Sequence, residues 1–111
     1  MRGIVHMIPA ETFHLKTKNG GWLGQVTITA DGMFAAVTDY GNFSYTWRSF
    51  GDNFKDFLIS LSAEYFGEKM ACSNAYVDYN TKIEKAAYVF TDMFLPEMQL
   101  YLINQKNKGW R

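Results

Sequence analysis

The chain has 111 residues, of which 48% are hydrophobic and 17% aromatic, so it carries enough apolar material for one domain with a single core. Its eleven basic and eleven acidic residues cancel, which argues against a protein that wraps duplex nucleic acid and against an acidic mimic of nucleic acid. The single cysteine, the lack of a recognisable secretory signal and the absence of an apolar run of about 20 residues favour an intracellular protein that does not cross a membrane.

The first predicted element is a strand over residues 11–18, followed by the turn Asn19-Gly20. This dipeptide is typical of two-residue type I′ hairpins, because both central positions of that turn need a positive φ. A two-residue loop pairs Thr17 with Trp22. It therefore predicts that Trp22 faces the core.

The second turn needs a longer loop, residues 30–32. A two-residue Asp31-Gly32 loop would turn Phe34 away from the face that carries Ile28. The three-residue loop, a type I turn with a glycine bulge, pairs Ile28 with Phe34 and keeps both on one face.

A third turn at Tyr40-Gly41 pairs Thr38 with Phe43. The three registers together predict a four-stranded antiparallel meander with one buried face. The residues predicted on that face are Phe13, Leu15, Trp22, Val26, Ile28, Phe34, Ala36, Phe43, Tyr45 and Trp47.

A helix is predicted from a cap at Asp52 or Asn53 to about Met70. Its apolar residues recur at helical spacing, at Phe54, Phe57, Leu58, Leu61 and Tyr65. The predicted fold class is α+β: a four-stranded antiparallel β-meander followed by two or more α-helices on its aromatic face. We expect a single domain over residues 1–111, with the meander in 11–48 and mainly helix in 53–106.

A second helix is predicted to begin near Asp78 or Thr81, since Thr81 and Glu84 have capping-box spacing. Pro96 should kink or restart this helix, because proline lacks the N–H that a helix interior needs. Residues 100–103 are apolar and short, so helix and strand both remain open there.

Residues 22–70 resemble a family of small, uncharacterised proteins of tailed bacteriophages and prophages. The matching motifs are Gln25-Val26-Thr27-Ile28, Asp39-Tyr40-Gly41, the aromatic alternation that ends at Trp47, and Phe54-Lys55-x-Phe57-Leu58. The resemblance implies a non-essential phage gene whose product acts in the host cytoplasm. The family has no established activity, so it assigns no functional residue.

The row Phe43, Tyr45, Trp47 could be a stacking platform for single-stranded bases, but the aliphatic residues on the same face favour a core. His6, His14 and Cys72 lack the spacing of metal ligands, and nothing near Cys72 in the sequence marks it as a nucleophile. The acidic pairs Asp52/Asp56 and Glu64/Glu68 read as solvated charges on a helix. We therefore expect no enzyme activity, no cofactor and no metal.

The opposite face of the sheet is predicted to be more apolar than a solvated face requires. Its candidate partner-binding residues are Lys16, Leu23, Gln25, Thr27, Met33, Val37, Thr46 and Arg48. Two alternatives remain: the C-terminal third covers this face, or its apolar residues are isolated surface residues without a function.

These observations predict a stoichiometric protein-binding inhibitor of a bacterial defence complex, such as a CRISPR effector. The partner would be a host protein or ribonucleoprotein complex. The alternative is a nucleic-acid-binding phage accessory protein that uses Lys16, Lys18, Arg48 and the basic C-terminus. A homodimer through the fourth strand's edge or the second sheet face is also predicted.

Overall fold

The computed structural model describes residues 3–73 and 81–108 and confirms the predicted α+β architecture. Within these residues the elements are β1 (Ala10–Lys16), β2 (Trp22–Thr29), β3 (Met33–Thr38), β4 (Gly41–Thr46), α1 (Phe54–Ile59), α2 (Ala63–Ser73) and α3 (Thr81–Asn107). The strands form one antiparallel sheet in the order β1-β2-β3-β4, so β1 and β4 are its edges. The helices pack on one face of this sheet.

The turn between β2 and β3 has the predicted three-residue form. Ile28 pairs with Phe34, and Gly32 has a φ of +103°. The Gly32 N–H donates to the Thr29 carbonyl at 3.2 Å, and the Thr29 hydroxyl donates to the Asp31 carboxylate. The three-residue loop predicted from the hydrophobic pattern is therefore confirmed.

The turn between β1 and β2 is not the predicted type I′ turn. Among the described residues only glycines have a positive φ, so Asn19 does not adopt the conformation that a type I′ turn requires. The loop is instead three residues long, 18–20, with Gly20 at φ +85°. It is closed by the Gly20 N–H donating to the Thr17 carbonyl at 2.9 Å and the Thr17 N–H donating to the Gly21 carbonyl at 2.7 Å.

This longer loop reverses two predicted side-chain orientations. Lys16 pairs with Trp22, whereas Leu15 pairs with Gly24, so β2 contains an extra residue at Leu23. The bulge places Leu23 in the core, where it is 4% exposed, and leaves Trp22 42% exposed. The predictions of a buried Trp22 and an outward Leu23 are therefore both wrong.

The turn between β3 and β4 has a register two residues away from the predicted one. Thr38 pairs with Gly41, and Phe34 pairs with Tyr45. The Thr38 hydroxyl accepts from the Tyr40 N–H at 3.0 Å and donates to the Gly41 carbonyl at 2.7 Å. Because side chains alternate with a period of two, a shift of two residues leaves every side chain on its predicted face.

Aromatic rings from the sheet and the helices interlock in the core. Phe34 makes edge-to-face contacts with Phe66 and Phe94, at centroid distances of 5.3 and 5.7 Å. Phe43 stacks on Phe90 at 4.4 Å. Of the predicted aromatic row, Phe43 and Trp47 are buried and Tyr45 is half-buried against the same core, so the row belongs to the core and is not an exposed stacking platform.

The helix predicted to run from residue 53 to Met70 is broken into α1 and α2. Its predicted cap is confirmed, since Asn53 Oδ1 accepts from the Asp56 N–H at 3.1 Å. The α2 helix has its own cap, because the Ser62 hydroxyl oxygen accepts from the Tyr65 N–H at 3.2 Å.

Within the described residues the α3 helix spans Thr81–Asn107 and continues through Pro96 without restarting. Residues 100–103 are therefore helical. The two predicted starts, Asp78 and Thr81, cannot be distinguished, because Asp78 lies outside the described residues. Pro96 and Asp92 are both exposed, so solvent can hydrate the Asp92 carbonyl that loses its donor at the proline. The predicted Thr81–Glu84 capping box lies outside the described side chains.

Candidate partner surface

The face of the sheet that points away from the helices is open. We call it the outer face. Its strand positions are Ala10, Thr12, His14 and Lys16 in β1, Trp22, Gln25, Thr27 and Thr29 in β2, Met33, Ala35 and Val37 in β3, and Asn42, Ser44 and Thr46 in β4. Most of these side chains are exposed, and the described residues of the C-terminal third pack on the other face.

Cross-strand hydrogen bonds order the centre of the outer face. The His14 Nε2 and the Gln25 Oε1 lie 3.0 Å apart, so the imidazole N–H donates to the amide oxygen. The hydroxyl oxygens of Thr12 and Thr27 also lie 3.0 Å apart. These hydrogen bonds favour one arrangement of the four side chains, and such preorganisation lowers the conformational entropy that binding would cost.

The structure keeps seven of the eight predicted surface residues accessible. Lys16, Gln25, Val37, Thr46 and Arg48 are exposed, with Val37 at 54%. Thr27 and Met33 are half-buried, while Leu23 belongs to the core as described above.

Trp22 is a surface residue that the sequence argument missed. Cross-strand partners share a face of the sheet, so the indole lies beside its partner Lys16. The outward orientation of Trp22 could have been predicted from Asn19-Gly20, because this dipeptide also suits a three-residue turn, in which only the glycine has a positive φ.

The basic residues of the nucleic-acid alternative do not gather into one patch. Lys16 ends β1, whereas Arg48 follows β4, so they lie on opposite edge strands and at opposite ends of the sheet. Lys106 makes an ion pair with Asp56 at 2.8 Å. Arg111 lies outside the described residues.

The strand positions of the outer face include no aspartate or glutamate, and the Asp31 carboxylate, which accepts from the Thr29 hydroxyl, lies at its rim. The outer face presents mostly hydroxyl and amide groups around two exposed apolar side chains, Trp22 and Val37, with Lys16 beside the indole. Neutral polar groups cost less to desolvate than charges do. The composition is therefore compatible with a protein contact.

A cleft of about 390 Å³ lies where β1 and the β2–β3 turn meet α1. It is lined in part by Ile28, Phe54 and the ion pair of Glu11 with Lys55, whose Nζ and Oε1 are 2.7 Å apart. The lining combines apolar side chains with one fixed charge pair.

Tyr101 lies within electrostatic reach of Glu11. Its ring contacts Phe13 at a centroid distance of 4.4 Å, and its hydroxyl accepts from Gln105 Nε2 at 2.8 Å. Burial, and then the negative charge of Glu11, raise the pKa of Tyr101.

The candidate metal ligands and the paired acidic residues can also be placed in the structure. Over residues 3–73 and 81–108 no three histidine, cysteine, aspartate or glutamate side chains lie together as metal ligands would. Asp56, one of the paired acidic residues, makes an ion pair with Lys106, while Asp52, Glu64 and Glu68 are exposed.

None of the helices in the described part of the chain is long and apolar enough to span a bilayer.

In comparisons with known proteins, no curated protein and no solved structure matches the chain. The family model Phage_phiTE_072, described as a phage family, matches residues 6–99. This match extends well beyond residues 22–70, which carried the resemblance, into both β1 and α3. It covers most of the 111 residues, so the chain belongs to this phage family.

Proposed function

We propose that this phage protein is a stoichiometric protein-binding inhibitor of a bacterial defence system, and that the outer face is its contact surface. The observation that carries the proposal is the open four-stranded face, on which the exposed Trp22 lies beside Lys16 and the exposed Val37 lies between the neutral residues Gln25 and Asn42. Tryptophan is enriched among the few residues that dominate binding energies in protein interfaces. The proposal assigns the protein a binding role and no catalytic one.

The arrangement of the outer face suits a stable contact with a protein. The hydrogen-bonded pairs His14–Gln25 and Thr12–Thr27 offer donors and acceptors in a defined arrangement. The indole of Trp22 supplies a rigid apolar anchor at one end. Interfaces of this composition combine a small apolar centre with a polar rim.

Membership of a phage family supports the choice of target class but does not by itself identify a partner. A phage protein without a catalytic role acts most directly by occupying a host complex that attacks the phage. A CRISPR effector or a comparable ribonucleoprotein complex in the host cytoplasm is the class we propose.

Purified defence complexes provide the test. The wild-type protein should co-elute with one such complex at a fixed ratio and abolish its nuclease activity. Trp22→Ala and Val37→Glu should each weaken binding at least tenfold. Glu68→Lys is the matched control, because Glu68 is exposed on α2, away from the outer face, and it should bind like the wild type.

Binding measured over a range of salt concentrations distinguishes the proposed protein contact from the nucleic-acid-binding alternative. Contacts with phosphates weaken steeply as salt rises, because each neutralised phosphate releases condensed counterions. Binding to the naked nucleic acid with that salt slope, and no binding to the protein component, would support the alternative. Equal binding by Val37→Glu, Trp22→Ala and the wild type would refute the outer face as the contact surface.

A further inference from the structure

The α3 helix is apolar on two sides, although only one side faces the core. Its buried residues are Ala87, Phe90, Phe94, Leu95, Met98 and Leu102. A second apolar row, which we call the exposed stripe, consists of Ala86, Val89, Met93, Pro96, Leu100 and Ile103. Ala86 is half-buried and Pro96 is exposed, while Val89, Met93, Leu100 and Ile103 are 46%, 40%, 52% and 39% exposed. The solvent-facing side of a helix is usually polar, so we expect the exposed stripe to be covered by a binding partner.

The spacing of the stripe indicates what kind of partner fits. Its members follow one another at intervals of 3, 4, 3, 4 and 3 residues. Alternating steps of 3 and 4 residues, which repeat every seven residues, are the spacing of the seam of a coiled coil, in which each side chain enters a gap between residues of a facing helix. The complementary surface is therefore another helix with the same period.

We propose that the exposed stripe binds the exposed stripe of a second copy of this chain, with the two α3 helices antiparallel. The intervals read the same in both directions, so a twofold axis between residues 94 and 95 brings every member opposite another member. Ala86 then faces Ile103 of the second copy, a small side chain against a large one. Val89 faces Leu100, and Met93 faces Pro96.

Charges beside the stripe favour the antiparallel orientation. In a parallel pair, Asp92 of one copy would lie across the seam from Glu97 of the other, and these like charges would destabilise the dimer. In the antiparallel pair these residues lie on different sides of the seam. Antiparallel helices also align their dipoles favourably. Lys85 approaches Lys106 of the second copy, but Lys106 is already paired with Asp56 of its own chain at 2.8 Å.

Two tyrosines at the rim extend the surface. The Tyr40 hydroxyl donates to the Met93 sulfur at 2.9 Å, which fixes the β3–β4 turn beside the stripe. Tyr88 precedes Val89 and packs over Gly67 of α2. Both rings remain partly exposed, at 37% and 42%, and can contact a second helix.

This surface differs from the outer face and does not depend on the proposed inhibitor function. The two regions can therefore be tested separately with one matched pair of substitutions. Leu100 is 52% exposed on the stripe, and Val37 is 54% exposed on the outer face. Neither substitution should disturb the core.

Light scattering and sedimentation of the full chain provide the first test. We expect a mass about twice the 12.8 kDa of one chain at micromolar concentration. Leu100→Glu and Val89→Glu should each raise the dimer Kd at least a hundredfold, because the seam would bury carboxylates without partners. Val37→Glu should leave the dimer Kd unchanged, and thermal melting should show all three variants folded.

Cysteine cross-linking tests the orientation in a Cys72→Ser background. A mixture of the Val89→Cys and Leu100→Cys proteins should form a disulfide-linked heterodimer quickly, while Leu100→Cys alone should not. Rapid linkage of Leu100→Cys alone would overturn the antiparallel arrangement. A 12.8 kDa wild-type mass at all concentrations, or a dimer that Val37→Glu breaks and Leu100→Glu does not, would overturn the second copy as occupant of the stripe. In the monomeric case, loss of host-complex binding in Leu100→Glu would assign the stripe to a partner's helix.

Discussion

The side-chain amide of Gln99 donates to the main-chain carbonyl of Leu61 at 2.8 Å. The same nitrogen lies 3.1 Å from the carbonyls of Leu58 and Ile59. A helix end leaves its last carbonyls without intrahelical donors. Gln99 of α3 supplies a donor at the break between α1 and α2, so the break is stabilised from across the core.

Gln99→Ala should lower the free energy of unfolding by about 1–3 kcal/mol, because it leaves partly buried carbonyls without their donor. Gln99→Glu should cost at least as much at neutral pH, since its carboxylate would place acceptors against acceptors. Denaturant unfolding measures both changes. Asn104→Ala, an exposed substitution on the same helix, is the control. A Gln99→Ala protein as stable as this control would contradict the role of Gln99 at the break.

Two tryptophans offer a test of the corrected faces. Trp47 is 5% exposed, contacts Phe57 at a centroid distance of 5.6 Å and donates its indole N–H to the Tyr65 hydroxyl at 2.9 Å. Trp47→Ala should cost about 3–5 kcal/mol through the lost apolar burial and the cavity. Trp22→Ala removes a 42% exposed ring and should cost about 1 kcal/mol or less. Chemical denaturation of both variants checks this order, and a larger loss for Trp22→Ala would refute the bulge at Leu23.

Gly32 is required for two separate reasons, and Gly20 for one. Gly32 has φ +103°, and a Cβ there would collide with the Trp47 carbonyl oxygen, whereas Gly20 has φ +85° and open space around it. Gly20→Ala should cost about 1–2 kcal/mol for the left-handed backbone alone. Gly32→Ala should cost clearly more, because the clash adds to the same strain. Equal unfolding free energies of the two variants would show that the turn adjusts to remove the collision.

Tyr101 should contribute to the alkaline limit of stability. Because the pKa of Tyr101 is raised in the folded state by burial and by Glu11, the folded protein holds this proton more tightly than the unfolded chain does. The stabilisation is complete below the unfolded-state pKa of about 10 and is lost as the pH rises through the folded-state value.

Urea unfolding between pH 8 and pH 12, a range chosen to bracket that value, measures the effect. Tyr101→Phe should flatten the alkaline decline in stability, and Glu11→Gln should move its midpoint to lower pH. Tyr88→Phe removes the hydroxyl of an exposed ring and serves as the control. An alkaline decline in Tyr101→Phe as steep as that of the wild type would rule out this contribution.

The α+β class and most of the buried face could be predicted from the sequence, because they depend on local rules. Alternation with a period of two marks which face of a strand is apolar. The loop at residues 30–32 followed from the requirement that Ile28 and Phe34 share that face. The same rule could not determine the register of β4, since a slip of two residues leaves every face unchanged.

The candidate surface was predicted only in part. Strand alternation assigned eight residues to it, of which seven are accessible in the structure and one, Leu23, is in the core. Leu23 and Trp22 exchanged roles because the backbone at Asn19 keeps a negative φ and a bulge restores the register. A bulge adds one residue to one strand, and alternation alone does not reveal it.

Contacts between distant residues decided the rest. Gln99 follows Leu61 by 38 positions, so no local pattern could predict that its amide would stabilise a break in the preceding helix. Likewise, the sequence marks α3 as apolar on two sides, but only packing determines which side the core covers. The sequence determined which residues are apolar and at what period, and the tertiary structure decided which of those rows remain open to solvent, because burial depends on what the rest of the chain places against each face.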